Sequence, residues 1–323
     1  MSDVTVPGPQ YRDRSVGLIA FGIAQILIGG CALLGMLGIA GTMEISARSG
    51  RMQLPAAVIA TDIILFGVAA AYFLVIGYGS IRRRRWARAI ALIISWMWLI
   101  AGTFGLVVVM IVLRQMSGSM AGNGASWGVV AGCGSLMVIV LPLVFVLFYR
   151  SPHVKATVDA RDPKPRWTDR VPLPVLAVVL IMAFTSLMML ATVSYGKVAF
   201  LGVIIDGPPA MVISFGFAVV FAFLAVQLYR LKESAWWTTV LLHAAGAVIA
   251  VITMLRTNFD ELNASSGIPT AGVSVNEIYH SPLLLTVMGL LWAVYLGFLL
   301  SLRKYFAGNS SPRTRRGEEL PSV

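Results

Sequence analysis

Long apolar runs separated by short polar stretches organise the whole of this chain. Eight of them, at approximately 16–40, 54–80, 89–113, 127–149, 174–197, 208–230, 236–256 and 283–302, carry almost no charge. Each is about as long as a helix must be to cross roughly 30 Å of hydrocarbon. None alternates apolar and polar positions as a barrel strand does. The pattern predicts an all-α polytopic membrane protein with eight transmembrane helices and excludes a closed barrel. Composition agrees: 58% of the 323 residues are hydrophobic and 12% charged, with a mean hydropathy of +0.84, far outside the globular range. The first run is too long for the h-region of a signal peptide and lacks a convincing cleavage site, so it is expected to be a retained helix.

The runs fall into two sets. "PGPQYRDRSVGL" at 7–18 and "PKPRWTDRVPLP" at 163–174 both read Pro, any, Pro, any, aromatic, any, Asp, Arg, and then turn apolar. Two further marks follow in the same order. The second run of each set leads through a polar loop to Trp86 or Trp236, and the fourth ends at Arg150 or Arg303. Separations of 156, 150 and 153 residues point to a tandem duplication. The expected units are a first four-helix bundle at 1–149, a linker at 150–173, a second four-helix bundle at 174–304 and a disordered tail at 305–323. An even number of crossings per unit makes the two copies parallel. Within the linker, Ser151 before Pro152 predicts a short helix with Ser as N-cap, ending by Pro163.

Charge supplies the orientation. The formal charge is +11, yet Lys and Arg number 2, 5, 6, 2 and 5 in the N-terminus, the 2–3, 4–5 and 6–7 loops and the C-terminus, against 5 in all the alternating loops. That asymmetry predicts a plasma (inner) membrane protein with both termini cytoplasmic. Anionic lipid headgroups are the expected partner of the basic loops, and no nucleic-acid motif accompanies the charge. Tyr11, Arg14, Trp167 and Arg170 in the two lead-in segments are expected interface anchors. Arg82, Arg83, Arg84, Arg85 and Trp86 join them in the 2–3 loop, as does Trp236 in the second half. Asp13 and Asp169 are placed to cap the helices that follow. The Arg82–Arg85 cluster followed by "WAR" resembles cytoplasmic loops of bacterial multi-pass membrane proteins of unassigned activity; the resemblance spans about a dozen residues per half and implies no chemistry.

Small residues supply the means of packing in lipid, where helices associate by close backbone approach. Candidate pairs are Gly128 with Gly132, Gly67 with Ala71, Gly246 with Ala250, and Gly22 with Gly29. They suit a homo-oligomer or another membrane partner as well as internal packing. Cys31 and Cys133 read as small packing residues in the outer half of the bilayer rather than as a disulfide.

Three intramembrane polar residues stand out. Asp62 is placed about eight residues, ~12 Å, below the outer end of the second helix. It reads either as a group on an ion or substrate path or as a neutral hydrogen-bonding acid between helices. His243 and Gln25 read as interhelical hydrogen-bonding groups or as members of a proton path with Asp62. "GASWG" at 124–128 matches the Gly-x-Ser-x-Gly string, with Asp260, Glu261 and His280 in the loop at 257–280 on the same side, but a nucleophile elbow needs an α/β sheet that this chain lacks. No metal or cofactor is expected from three His and two Cys without a clustered motif. A structural or partner-binding membrane component is the leading functional reading. A small-solute or proton-coupled transporter using Asp62 is the alternative, and a lipid-modifying intramembrane enzyme the third.

Overall fold

The structure is a computed structural model that describes residues 11–48, 56–116, 136–265 and 274–307, together with 132 and 134. Helix α1 spans Ser15–Arg48, α2 Ala56–Ile81 and α3 Arg85–Met116. A π-helical turn at Leu136–Val140 runs into α4, Leu141–Arg150, which is followed by α5, Pro152–Arg161. Then come α6 (Leu173–Thr192), strands β1 (Lys197–Phe200) and β2 (Val203–Asp206), α7 (Pro208–Tyr229) and α8 (Glu233–Arg256). Two short helices, α9 (Phe259–Ser265) and α10 (Val275–Tyr279), precede α11 (Pro282–Ser301).

Seven described helices are long and apolar enough to cross a membrane: α1, α2, α3, α6, α7, α8 and α11. The fourth expected crossing is represented by Met137–Arg150, which meets Pro152–Arg161 at 61°; its beginning lies outside the described residues. The chain is therefore an α-helical, multi-pass integral membrane protein, with seven or eight candidate spans among the described residues. The bend has a local cause. Ser151 precedes a proline, which pushes it out of the helical region, and it sits at φ −54, ψ 132. The linker helix forms where expected, although the Ser151 side chain makes no cap hydrogen bond.

Helix α1 lies along α2 because glycines meet at their crossing. A Cβ on Gly22 would stand 2.7 Å from the Gly77 carbonyl oxygen, and one on Gly77 2.7 Å from the Gly22 carbonyl oxygen. Seven residues on, Gly29 faces Leu74 and the Ala70 carbonyl at 3.0–3.2 Å. The described glycines of the other expected small-residue pairs make no such approach. A Cβ on Gly132 or Gly246 would meet nothing within 4 Å, and one on Gly67 only the Met36 sulfur at 3.9 Å. Gly128 lies outside the described residues. Cys31 is exposed on the surface rather than packed, and Cys133 too lies outside the described residues.

Two cores result. Leu18, Ile76, Leu92, Phe145 and Tyr149 gather where α1 to α4 meet, and Val175, Met182, Leu228, Trp236 and Leu299 where α6, α7, α8 and α11 meet. A smaller cluster joins the halves, with Ala89 and Ile93 of α3 against Val171 and Leu176.

On the face opposite the basic loops, the segment between α6 and α7 forms an antiparallel hairpin, Lys197 opposite Asp206 and Phe200 opposite Val203. The expected spans at 174–197 and 208–230 leave 198–207 as a connection, and its apolar stretch "KVAFLGVIID" pairs with itself as a hairpin instead of running on as an irregular loop. Gly196 at φ 58, Leu201 at φ 53 and Gly202 at φ 90 break the helix and turn the strands. A Cβ on Gly202 would stand 2.5 Å from the Arg256 Cβ, so the hairpin tip rests on the end of α8.

If the glycine crossing holds α1 to α2, Gly22→Ala should destabilise the fold by about 1–3 kcal/mol, the usual penalty of overpacking. Gly30→Ala, in the same helix but facing open space, should be neutral or mildly stabilising. Thermal unfolding of the two variants in one detergent checks the difference.

Candidate functional site

The densest set of polar contacts lies not among the spans but on the face where the basic loops meet, built around the linker. Asp162, 3% exposed, ends α5 because the next residue is proline. Its carboxylate accepts from Arg166 Nη2 at 2.6 Å and Nε at 3.0 Å, from Arg84 Nη1 at 3.4 Å and from the Arg85 backbone N–H at 3.4 Å. The guanidinium of Arg166, and next the Arg85 amide and the charge of Arg84, hold this carboxyl below the usual carboxylate range, against the opposing effect of burial. Arg85 lies 2.9 Å from Asp159 and 3.6 Å from Asp169. The N-terminal lead-in is tied to the same helix. The Arg14 amide donates to Thr157 Oγ1 at 3.0 Å, the Arg12 amide to His153 Nδ1 at 3.4 Å, and Arg161 to Asp13 at 3.4 Å. From the second half, Tyr229 Oη donates to the Trp167 carbonyl at 2.9 Å. One short stretch, 152–170, thus clasps the N-terminus, the α2–α3 turn and the end of α7.

The expected anchors divide accordingly. Tyr11 and Trp167 are 47% and 44% exposed, Arg170 is also exposed, and Arg82 lies over the Tyr78 ring at 5.4 Å. Arg84 and Arg85 turn inward to linker carboxylates instead, and Arg14 adds the backbone bond to Thr157. Trp86 is half-buried against Gly79. Trp236 is 1% exposed and donates from Nε1 to the Leu299 carbonyl at 2.8 Å, a core position rather than a headgroup one. Asp13 accepts from the Ser15 amide and hydroxyl at 2.8 and 2.6 Å, at the start of α1 as expected. Asp169 instead accepts from the Arg166 amide at 2.8 Å, capping the single 3-10 turn at Trp167–Asp169, while α6 begins without a side-chain cap.

Inside the spans, Gln25, Ser80 and Tyr149 meet, all 1% exposed or less. Gln25 Oε1 lies 3.3 Å from Ser80 Oγ and 3.2 Å from Tyr149 Oη, and the two hydroxyls are 2.8 Å apart. This ties α1, α2 and α4 together near the basic face, as interhelical hydrogen bonds do in lipid. His243 is buried with Nδ1 2.7 Å from the Thr239 carbonyl, and its ring is surrounded by Tyr295, Phe221 and Trp292 at 5.2–6.1 Å. Asp62 stands six positions into α2, about 9 Å along its axis, closer to the helix end than the sequence implied. It is half-buried, and no hydrogen bond or ion pair joins it to another described residue. Its neighbour Thr61 lies 3.5 Å from Ser194 at the end of α6, so Asp62 sits beside a contact between the two halves. Eighteen residues, ~27 Å of helix, separate Asp62 from Ser80 and the Gln25 cluster, while the contacts of His243 belong to the second half. Among the described residues no hydrogen bond or ion pair joins any two of the three.

The described parts of the loop at 257–280, residues 257–265 and 274–280, fold against each other. Asp260 accepts from Ser274 Oγ at 2.9 Å and from the Val275 and Asn276 amides at 2.7 and 3.2 Å, and these bonds hold its carboxyl below the ordinary value. Ile278 packs with Met254 and Leu284 against Phe104 and Val108 of α3. His280 Nδ1 is 2.8 Å from the Asn276 carbonyl, and Ser126 lies outside the described residues. Asp260 and His280 therefore serve the loop's own fold. Among the described residues no three His, Cys, Asp or Glu side chains gather as a metal site would require. Comparison with family models, with curated proteins and with solved structures finds no match to this chain.

Asp162→Asn keeps the shape but removes the charge from the clasp, and it should cost about 1–3 kcal/mol of unfolding free energy. Because folding depresses the Asp162 pKa, its contribution is present above the unfolded value of about 3.9 and lost as pH falls through the lower folded value. Unfolding midpoints measured from pH 7 down to pH 3 should fall more steeply below about pH 4 for the unaltered chain than for D162N.

Proposed function

We propose that this integral membrane protein is a structural, partner-binding component that holds a fixed basic face against anionic headgroups at the cytoplasmic surface of the plasma membrane, with both termini on that side. The clasp around Asp162 carries the reading. Its polar contacts tie loops and halves together, which suits a face meant to keep one shape, and exposed Arg82, Trp167 and Arg170 border it at headgroup level. The two units are read as parallel tandem copies. Helix α1 pairs with α2 and α3 with α4, as α6 pairs with α7 and α8 with α11.

The turns between the second and third helices of each unit also support duplication. In the first, the amides of Arg82, Arg83, Arg84 and Arg88 bond to the carbonyls of Tyr78, Ser80, Gly79 and Arg84. In the second, Arg230, Leu231, Lys232 and Trp236 bond to Val226, Leu228, Gln227 and Lys232. Every pair is 148 residues apart, and Arg83 and Leu231 share φ values of 54 and 55. In that register Trp236 corresponds to Arg88 and Trp86 to Ser234, so the two tryptophans expected to mark the repeat are not equivalent positions.

Transport remains the second reading on one observation: Asp62 is half-buried without a described partner beside the α2–α6 contact. Proton flux in proteoliposomes separates the two. The structural reading expects flux at the level of protein-free vesicles, unchanged by Asp62→Asn. A flux well above that level and abolished by D62N would replace it with transport.

A further inference from the structure

We draw no further inference here: the strongest candidate, the outward-facing stripe of small residues Gly289, Ala293, Gly297 and Ser301 along α11, has the spacing that lets a second helix approach closely in lipid, but nothing in the structure shows what covers it.

Discussion

Asp162 is the point through which the loops of the basic face are tied together. A carboxylate withdrawn from water is tolerated only when charges and donors replace its hydration, and here Arg166, Arg84 and the Arg85 amide do so. Each of these groups belongs to a stretch whose path is thereby fixed: the lead-in to α6 and the α2–α3 turn. Because α5 also receives the amides of Arg12 and Arg14, the position of α1 at this face is set by the same element. The clasp works in water, at the edge of the lipid, where ionic contacts can order chains that have no hydrophobic pressure to join them.

Within the lipid a different rule operates. Acyl chains are as apolar as leucine, so helices associate through van der Waals packing, tightest where backbones approach closely, and through interhelical hydrogen bonds. The first half uses both, in the Gly22–Gly77 crossing and the Gln25–Ser80–Tyr149 cluster. The second half relies more on large side chains, with Trp236 bonded to the Leu299 carbonyl and Ser186 to the Ala218 carbonyl at 2.7 Å. Such interactions depend on which faces meet. Gly246, similar in sequence context to the packed glycines, faces nothing.

This explains which parts of the molecule were legible beforehand. Span positions follow from a one-dimensional requirement, enough apolar length to cross, and the helices begin and end within a few residues of the expected limits wherever described, apart from α1, which continues to Arg48, and α6, which stops at Thr192 rather than 197. The linker helix was legible because a proline fixes its first turn. Pairings were not legible, because they depend on rotation about each axis. Arg84 and Arg85 looked like headgroup anchors because nothing in the loop reveals Asp162 and Asp159 beside them. The alternating acids and bases of "DARDPKPR" were the available signal. Nothing in the sequence sets Tyr149 apart from the other aromatics near helix ends, and the β1–β2 hairpin lies in the apolar connection between two expected spans, where no turn residues of the usual hairpin type mark it.

The matched turns show how backbone and surface chemistry can separate. Arg83 and Leu231 both occupy the left-handed region, which is unfavourable for a residue with a Cβ, and both turns close with the same hydrogen bonds. The cost is met by the bonds that end one helix and start the next, so the turn does not depend on what lies between the helices. That space is free to vary. With glycine and tryptophan it closes into a packed contact, while with glutamine and serine it opens into a groove that ends in a lysine. The difference cannot arise from the turn, since the turn is common to both; it arises from two side chains, one too large to allow contact and one too small to restore it.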